Sequence, residues 1–377
     1  MQARSLIVED IKNLKEKIVE LKDTFNPSVG IFFNSITHDV MTLHTTLKES
    51  GIEFLGATTA GEIALKSGEE GIAYEEAISG MLFDIQRDAF DIKSFEIREN
   101  GSFSAGVEAG KWGKSVFNNP AFIVLAGGLG TDGEAIVNGM VEGTGSDTMP
   151  LYGGLAGDDG GFKETFTYST EKVSGSGLMV MVVDGDKIEM QGLASSGWVA
   201  SGAIKKVTKS AGNIVYSIDN TPALDFYLER LDISEDEMPA AGFEYPLLIL
   251  NDDGSSVIRA VIDVNKEDRS LVFAGTVGEK KVIQFSTSNG DEASENTIAH
   301  INEFEWLDKE PDAMLLFSCV ARHIALGPTV EDEIEVIGER WDVPLAGYFT
   351  YGEIGMNSAG KCDFHNETCT LLLMREK

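Results

Sequence analysis

The chain is predicted to be an α/β protein of two domains, with mixed β-sheets built from repeated strand-helix-strand modules plus an antiparallel meander. Three observations predict this. A short Gly-acid turn occurs three times after an apolar lead-in: "EFLGATTAGEI" (53–63), "PLYGGLAGDD" (150–159) and "VPLAGYFTYGEIG" (343–355). Before each turn stand a continuous apolar run and a helical pattern, always in that order. Finally, "YPLLILNDDGSSVIRAVIDVNKEDRSLVFAG" splits into apolar runs at Asp-Asp-Gly and Lys-Glu-Asp, which are turn compositions.

The elements follow in chain order. Ile7, Ile11, Leu14, Ile18 and Leu21 recur at four-then-three spacing, predicting an N-terminal amphipathic helix within residues 1–25. The first module has a strand in "VGIFFNS" (29–35), a helix face of Val40, Leu43 and Leu47, the turn at Glu62 and a closing strand from Ser79. The second has "AFIVLAGG" (121–128), then Ile136, Val137, Met140 and Val141 on one helix face, the turn at Asp158 and "SGLMVMVV" from Ser176. "SGAIKKVTKSAGN", polar and dense in Lys, is the expected seam, dividing an N-terminal domain (26–210) from a C-terminal one (211–377). A helix over 221–233 should bury Leu224, Tyr227, Leu228 and Leu231, and the meander follows, with "KKVIQFSTSN" as its fourth strand. The third module has "AMLLFSCV" (313–320), then Val330, Ile334, Ile337 and Trp341 on a helix with Thr329 and Asp332 as an N-capping pair. Its turn at Glu353 and a strand from Glu367 close the chain.

A length of 377 residues suits two domains, and 42% apolar residues predict a packed interior. The formal charge of −32 repels phosphate backbones and anionic lipid, so neither nucleic acid nor a membrane is expected as a partner. The longest apolar run, "LMVMVV" (178–183), is far short of the ~20 residues of a spanning helix. Three cysteines without CxxC spacing make no disulfide framework, and with no secretion signal at the N-terminus the expected location is cytoplasmic.

The order of "LGATTAGEI", "GGLAGDD", "YPLLIL…VIRAV", "FSCVARH", "PLAGYFTYGEIG" and "FHNET", from about residue 27 to 374, resembles the FIST proteins. The resemblance implies two parts, FIST N and FIST C, and a bacterial or archaeal sensory role. In that family the domains are thought to bind small ligands, amino acids being one proposal. Some members are haem proteins that sense nitric oxide and regulate a histidine kinase or a cyclic-di-GMP enzyme. Many carry an output domain, for which this chain is expected to have no room, so its signal would pass to a separate protein.

The acid of each Gly-acid turn should sit at the carboxyl end of a strand, where α/β units bind ligands. Glu62 and Asp158 are expected to cap backbone N–H groups. Glu353, beside Thr350, Tyr351 and the "FHNET" residues His365 and Asn366, is the stronger ligand contact. Arg322, just past the third module's first strand, could grip a carboxylate bidentately, with Glu353 or Asp158 receiving an ammonium; the alternative is an internal ion pair with Glu353. Arg259, within an apolar strand, points either to solvent or into a cavity between the domains.

Cys319 with His323 or His365 raises the question of a thiol enzyme, but "CVAR" lacks a Gly-rich anion cradle and an apolar strand end favours an inert cysteine. No enzyme activity is therefore expected. Gly128, Gly130 and Gly133 have GxGxxG spacing between a strand and a helix; Glu134 would crowd a pyrophosphate there, so a turn is expected. The five histidines show no zinc spacing. His44 falls on an apolar helix face. If haem binds, His365 is the first candidate ligand and His323 the second. The expected function is a sensor for a small polar ligand, an amino acid being one candidate. A haem-based nitric-oxide sensor and an enzyme using Cys319 are the alternatives.

Overall fold

The computed structural model describes residues 1–65, 72–99, 101–251, 254–286, 290–305 and 310–377. The first repeat comprises β1 (Gln2–Val8), α1 (Ile11–Lys22), β2 (Val29–Asn34), α2 (Val40–Glu49), β3 (Glu53–Thr58), β4 (Glu62–Leu65), β5 (Ile72–Tyr74) and β6 (Ile78–Asp84). The second comprises β7 (Phe90–Glu96), α3 (Ser102–Val116), β8 (Pro120–Ala126), α4 (Gly133–Thr144), β9 (Leu151–Leu155), β10 (Thr167–Ser169), β11 (Val173–Ser174) and β12 (Gly177–Asp184). A third opens with β13 (Ile188–Ser195) and is interrupted by an insertion. The insertion holds β14 (Ala200–Ala211), β15 (Ile214–Ile218), β16 (Thr221–Pro222), α5 (Ala223–Leu231), α6 (Ala240–Glu244), β17 (Leu247–Leu250), β18 (Ser256–Arg259), β19 (Val261–Asn265), β20 (Ser270–Phe273) and β21 (Val282–Ser286). The repeat resumes with α7 (Gly290–Glu303), β22 (Ala313–Cys319), α8 (Val320–Leu326), α9 (Val330–Arg340), β23 (Leu345–Thr350), β24 (Glu353–Met356), β25 (Cys362–His365) and β26 (Cys369–Glu376).

Each repeat makes the same sheet. In the first, β2 and β3 are parallel, β6 is antiparallel to β2, and β1 lies outside β6. β8, β9, β12 and β7 repeat this order, as do β22, β23, β26 and β13. The hairpin after each Gly-acid turn then crosses to a different sheet. β4–β5 joins β23, β10–β11 joins β3, and β24–β25 joins β9, giving three six-stranded sheets.

The turns are the crossing points, and they are bonded to one another. Gly157 N–H donates to Thr58 O at 2.8 Å, Ala60 N–H to Phe349 O at 2.9 Å, and Leu155 N–H to Gly352 O at 2.8 Å. Gly61 (φ +120°) and Gly352 (φ +157°) take left-handed backbone that a side chain would strain.

Successive strand residues point to opposite faces. Val29, Ile31 and Phe33, Ile123 and Leu125, and Leu315 and Phe317 therefore enter one central core shared by the three sheets. The other faces pack on helices: Phe32 with Leu43 and Leu47, Val124 with Ile136 and Met140, Leu316 with Ile334 and Ile337. Burial on both faces is why these strands read as unbroken apolar runs. Helices α3 and α4 meet backbone to backbone: a Cβ on Gly106 would lie 2.3 Å from Ile136 O, and one on Gly139 2.2 Å from Phe103 O.

Four expectations change. The N-terminal helix starts only at Ile11, because Asp10 caps it through Asn13 N–H; Ile7 lies in β1, paired with β6. The supposed seam "SGAIKKVTKSAGN" is largely strand β14, whose exposed lysines gave it a linker's composition. The meander is rearranged, because its middle apolar run divides at Ala260 into β18 and β19. These end the path β18-β17-β21-β14-β15-β20-β19, so the sheet curls back on itself around Val215, Leu247, Phe273 and Ile283. Residues 252–253 of its first turn and 287–289 of its fourth run lie outside the described residues. Last, the Thr329 hydroxyl bonds back to Leu326 O instead of capping α9.

Candidate functional site

A cavity of about 450 Å³ opens where β8, β9, β22 and β23 end, on Gly128, Leu155, Cys319 and Tyr351. The insertion closes it from the other side with Asn213, Phe243, Ile262, Phe273 and Thr276. Ligands of open α/β units bind at such carboxyl strand ends. Gly128–Gly133, the GxGxxG stretch, forms one wall. Phe364 packs against Gly133 so closely that a Cβ there would lie 2.3 Å from its ring.

The walls are largely apolar, and the polar groups stand apart. Asp132 caps α4 by accepting Ala135 N–H at 2.9 Å. Among the described residues, the N–H groups of Leu129, Gly130 and Thr131 donate to no acceptor. Asn366, also in the lining, is 1% exposed and its Oδ1 has no hydrogen-bond partner among the described residues. An unpartnered buried amide oxygen costs about 1–3 kcal/mol, so a donor supplied from the cavity would recover that loss.

Of the residues expected at a site, Tyr351 and Asn366 line the cavity. Tyr351 donates to Asp158, accepts Gly160 N–H at 3.1 Å and stacks on Phe162, rings 4.7 Å apart. Asp158 also accepts the N–H groups of Phe162, Lys163 and Glu164. Burial opposes its charge, but these bonds outweigh it and hold its carboxyl below the usual range. Asp158 thus organises a loop that carries Phe162, 61% exposed, to the cavity rim.

Thr350 and Glu353 lie behind the wall. The Glu353 carboxylate accepts from the Thr350 hydroxyl and from Thr368 N–H and Oγ1 at 3.2 and 2.9 Å. Burial pushes its pKa up to about 7 despite these bonds. Glu62 is its counterpart in the first repeat. It accepts from Thr59 and from Ala77 N–H at 2.9 Å, and burial pushes it up to about 8.

Arg259 projects inward from β18. It donates to Phe364 O at 3.0 Å, Thr276 O at 3.4 Å and Glu134 at 3.2 Å, tying the insertion to β25 and α4. Arg322 is placed elsewhere. Its Nε lies 3.1 Å from Glu333, and its Nη groups bond Glu333, Ser196 O, Glu367 O, Ala293 O and Thr297. A guanidinium has five N–H donors, and this one is fully engaged; its ion partner is Glu333, not Glu353.

His365 faces the other side of its strand, into a second cavity of about 420 Å³ with Ser195, Trp198, His300 and Glu303. Its Nε2 has no partner, and burial lowers its pKa, favouring the neutral ring. His323 stacks on Phe349 at 4.2 Å. No histidine lines the first cavity, and serines and Glu303 line the second, so neither fits the apolar pocket of a histidine-bound haem. Cys319 does line the first cavity, but burial, then Glu353 and Glu367, push its thiol well above the ordinary range. A reactive cysteine needs the reverse shift.

Comparison with known proteins identifies the family. The FIST N domain model matches residues 28–221 and the FIST C domain model residues 223–356. The chain belongs to the FIST family. FIST domains are sensory domains of signal transduction. The boundary between the two FIST matches falls inside the insertion, so β14 and β15 come from the FIST N match and β17 to β21 from FIST C. An uncharacterized protein of Methanocaldococcus jannaschii, MJ1623, is 36% identical over 85 residues, 22% of this chain. The aligned stretch spans only 16% of that relative. Among the described residues, no helix is long and apolar enough to cross a membrane.

Sequence reasoning set aside the Gly-rich stretch and passed over Phe162, Asn213 and Thr276. The GxGxxG spacing between strand and helix was the available signal for the first. The others reach the cavity only through the folding of the insertion.

Proposed function

We propose that this FIST protein is a cytoplasmic sensor that binds a small polar ligand, an amino acid being one candidate, between the Gly128–Gly133 loop and the insertion. Tyr351, Asn366 and the loop contact the ligand. Asp158, Arg259, Thr350 and Glu353 hold those contacts in place. Binding shifts the population of insertion positions, and a separate signalling protein reads the shift. The observation that carries this reading is the buried, unpartnered Asn366 Oδ1 in a 450 Å³ cavity whose walls come from both family matches.

A thermal-shift screen of amino acids and small acids tests it. A binding compound raises Tm by mass action, and Asn366→Leu removes that rise. The reading is lost if no compound of the screen shifts Tm.

A further inference from the structure

The second cavity holds a hydrogen-bonded serine and histidine that the sensor reading does not use. Ser195, the last residue of β13, is 4% exposed, and its Oγ lies 2.8 Å from Nδ1 of His300 on α7. Thr297 Oγ1 is farther from the same hydroxyl, at 3.4 Å, and already accepts from Arg322 at 2.7 Å. A hydroxyl has one hydrogen to give. The shorter contact takes it when the His300 ring carries its own hydrogen on Nε2. Glu303, further along α7, lines the same cavity.

The chain that follows the serine is braced. Arg322 donates to Ser196 O, and Asn296 Nδ2 to Gly197 O at 2.9 Å. Gly197 takes left-handed backbone (φ +73°), and a Cβ there would lie 1.9 Å from Ala293 O, so glycine lets this loop lie against α7. Among the described residues, the N–H groups of Ser196, Gly197 and Trp198 donate to no acceptor. All three residues line the cavity. A nucleophile, a base within hydrogen-bond reach and donors beside the nucleophile are the parts of acyl transfer.

We propose that Ser195 is an acylatable nucleophile and that this cavity hydrolyses small, non-anionic esters. Ser195 Oγ bonds the ester carbonyl carbon as its hydrogen passes to His300 Nδ1, and the loop N–H groups hold the oxygen that gains charge. The C–O bond to the leaving alcohol then breaks, and that alcohol takes the hydrogen from His300. Water adds to the acyl-serine with His300 again receiving a hydrogen, which returns to Ser195 Oγ as the carboxylic acid leaves. A cavity of about 420 Å³ sets the size, and a chain of −32 repels anions. His365 adds a further requirement. Its ring bonds the Gly355 carbonyl, and the buried Nε2, without a partner, is left as an acceptor in this cavity. The substrate therefore carries a hydroxyl or an amide N–H.

A small alkyl fluorophosphonate, incubated with the full chain, tests the nucleophile. Its P–F bond should break as Ser195 Oγ bonds phosphorus and fluoride leaves, and peptide mass spectrometry should find the adduct on Ser195. Ser195→Ala should abolish that adduct, and His300→Gln should slow its formation by about a hundredfold, within the range of general-base catalysis. No adduct, or an adduct only on another residue, overturns the proposal. So does an unchanged rate in His300→Gln. Should either variant not fold, the position of the adduct on the unaltered chain still decides.

Hydrolysis of p-nitrophenyl butyrate and p-nitrophenyl 3-hydroxybutyrate tests the substrate class. Release of p-nitrophenol from both, lost in Ser195→Ala, is expected. KM should be lower for the hydroxy ester by about threefold or more, the worth of one hydrogen bond, and His365→Phe should make the two equal. Equal KM values on the unaltered chain overturn the His365 assignment and leave the nucleophile standing. An adduct on Ser195 without turnover of either ester overturns the hydrolysis.

Discussion

The Arg259 guanidinium lies 3.2 Å from the Glu134 carboxylate, joining a strand of the insertion to the helix that carries the Gly-rich loop. The arginine side chain is 2% exposed and its partner 33%, so one end of the pair is dry and the other wet. Its remaining donors hold carbonyls of Ile258, Phe364 and Thr276. Removing the fork takes a donor from each of those carbonyls. Arg259→Ala should cost about 1–3 kcal/mol in urea unfolding, the range for buried polar groups that lose a donor, because Glu134 keeps access to water. Arg259→Lys should recover only part of it, because an ammonium cannot copy the planar fork. Equal stability of the alanine and lysine variants would show that the fork geometry is immaterial.

Arg322 behaves differently. Its bonds are internal, to Glu333 and to backbone, and a Trp198 ring lies 5.1 Å away. Arg322→Ala should also destabilise by about 3–5 kcal/mol. Ligand affinity of whatever remains folded should stay within about twofold of the parent. Loss of binding in a well-folded Arg322→Ala protein would return this residue to the site.

The contribution of Glu62 and Glu353 to stability should fall as pH rises from about 5 to about 8.5. Glu62 and Glu353 titrate in the fold at about 8 and about 7, above the ordinary value of 4.5. Between 4.5 and these values the folded chain holds protons that the unfolded chain has released. The stabilising contribution is therefore complete below about pH 4.5 and lost as pH passes through 7 and 8, by about 1.4 kcal/mol for each unit of difference. Glu62→Gln and Glu353→Gln should flatten the profile and gain most above pH 8. Urea melts across that range provide the check, and an unchanged slope in both variants contradicts the assignment.

Gly139→Ala should destabilise by about 1–3 kcal/mol, the cost of overpacking. The new methyl would sit 2.2 Å from Phe103 O, so α3 and α4 must separate. Gly145→Ala, a control at a left-handed helix end with open space around it, should cost less than Gly139→Ala. Thermal melts of the two variants separate crowding from backbone strain.

The three modules were legible because each strand is buried on both faces and each turn needs a glycine, and such features survive in one dimension. The exchange of hairpins was not legible. "EIAL" (62–65) pairs with β23 rather than with its own repeat, and no local pattern records which edge a short strand will choose. That Tyr351 and Asn366 would lie at a cavity was legible from their polar dressing near a strand end. Arg322 looked equally suitable, because one-dimensional reading could not see Glu333 one helix away, with both carboxylate oxygens turned toward it. The glycines of α3 and α4 were also missed: four-residue spacing within a helix has a different meaning when the facing helix repeats it.

The exchanged hairpins bear on how a signal could travel. Pulling any one repeat away would strip a strand pair from its neighbour and open its own edge, so the three sheets must yield together or not at all. Such a body makes a poor moving part and a good anvil. The insertion hangs from this body through β13 and α7 and is clasped to it by Arg259.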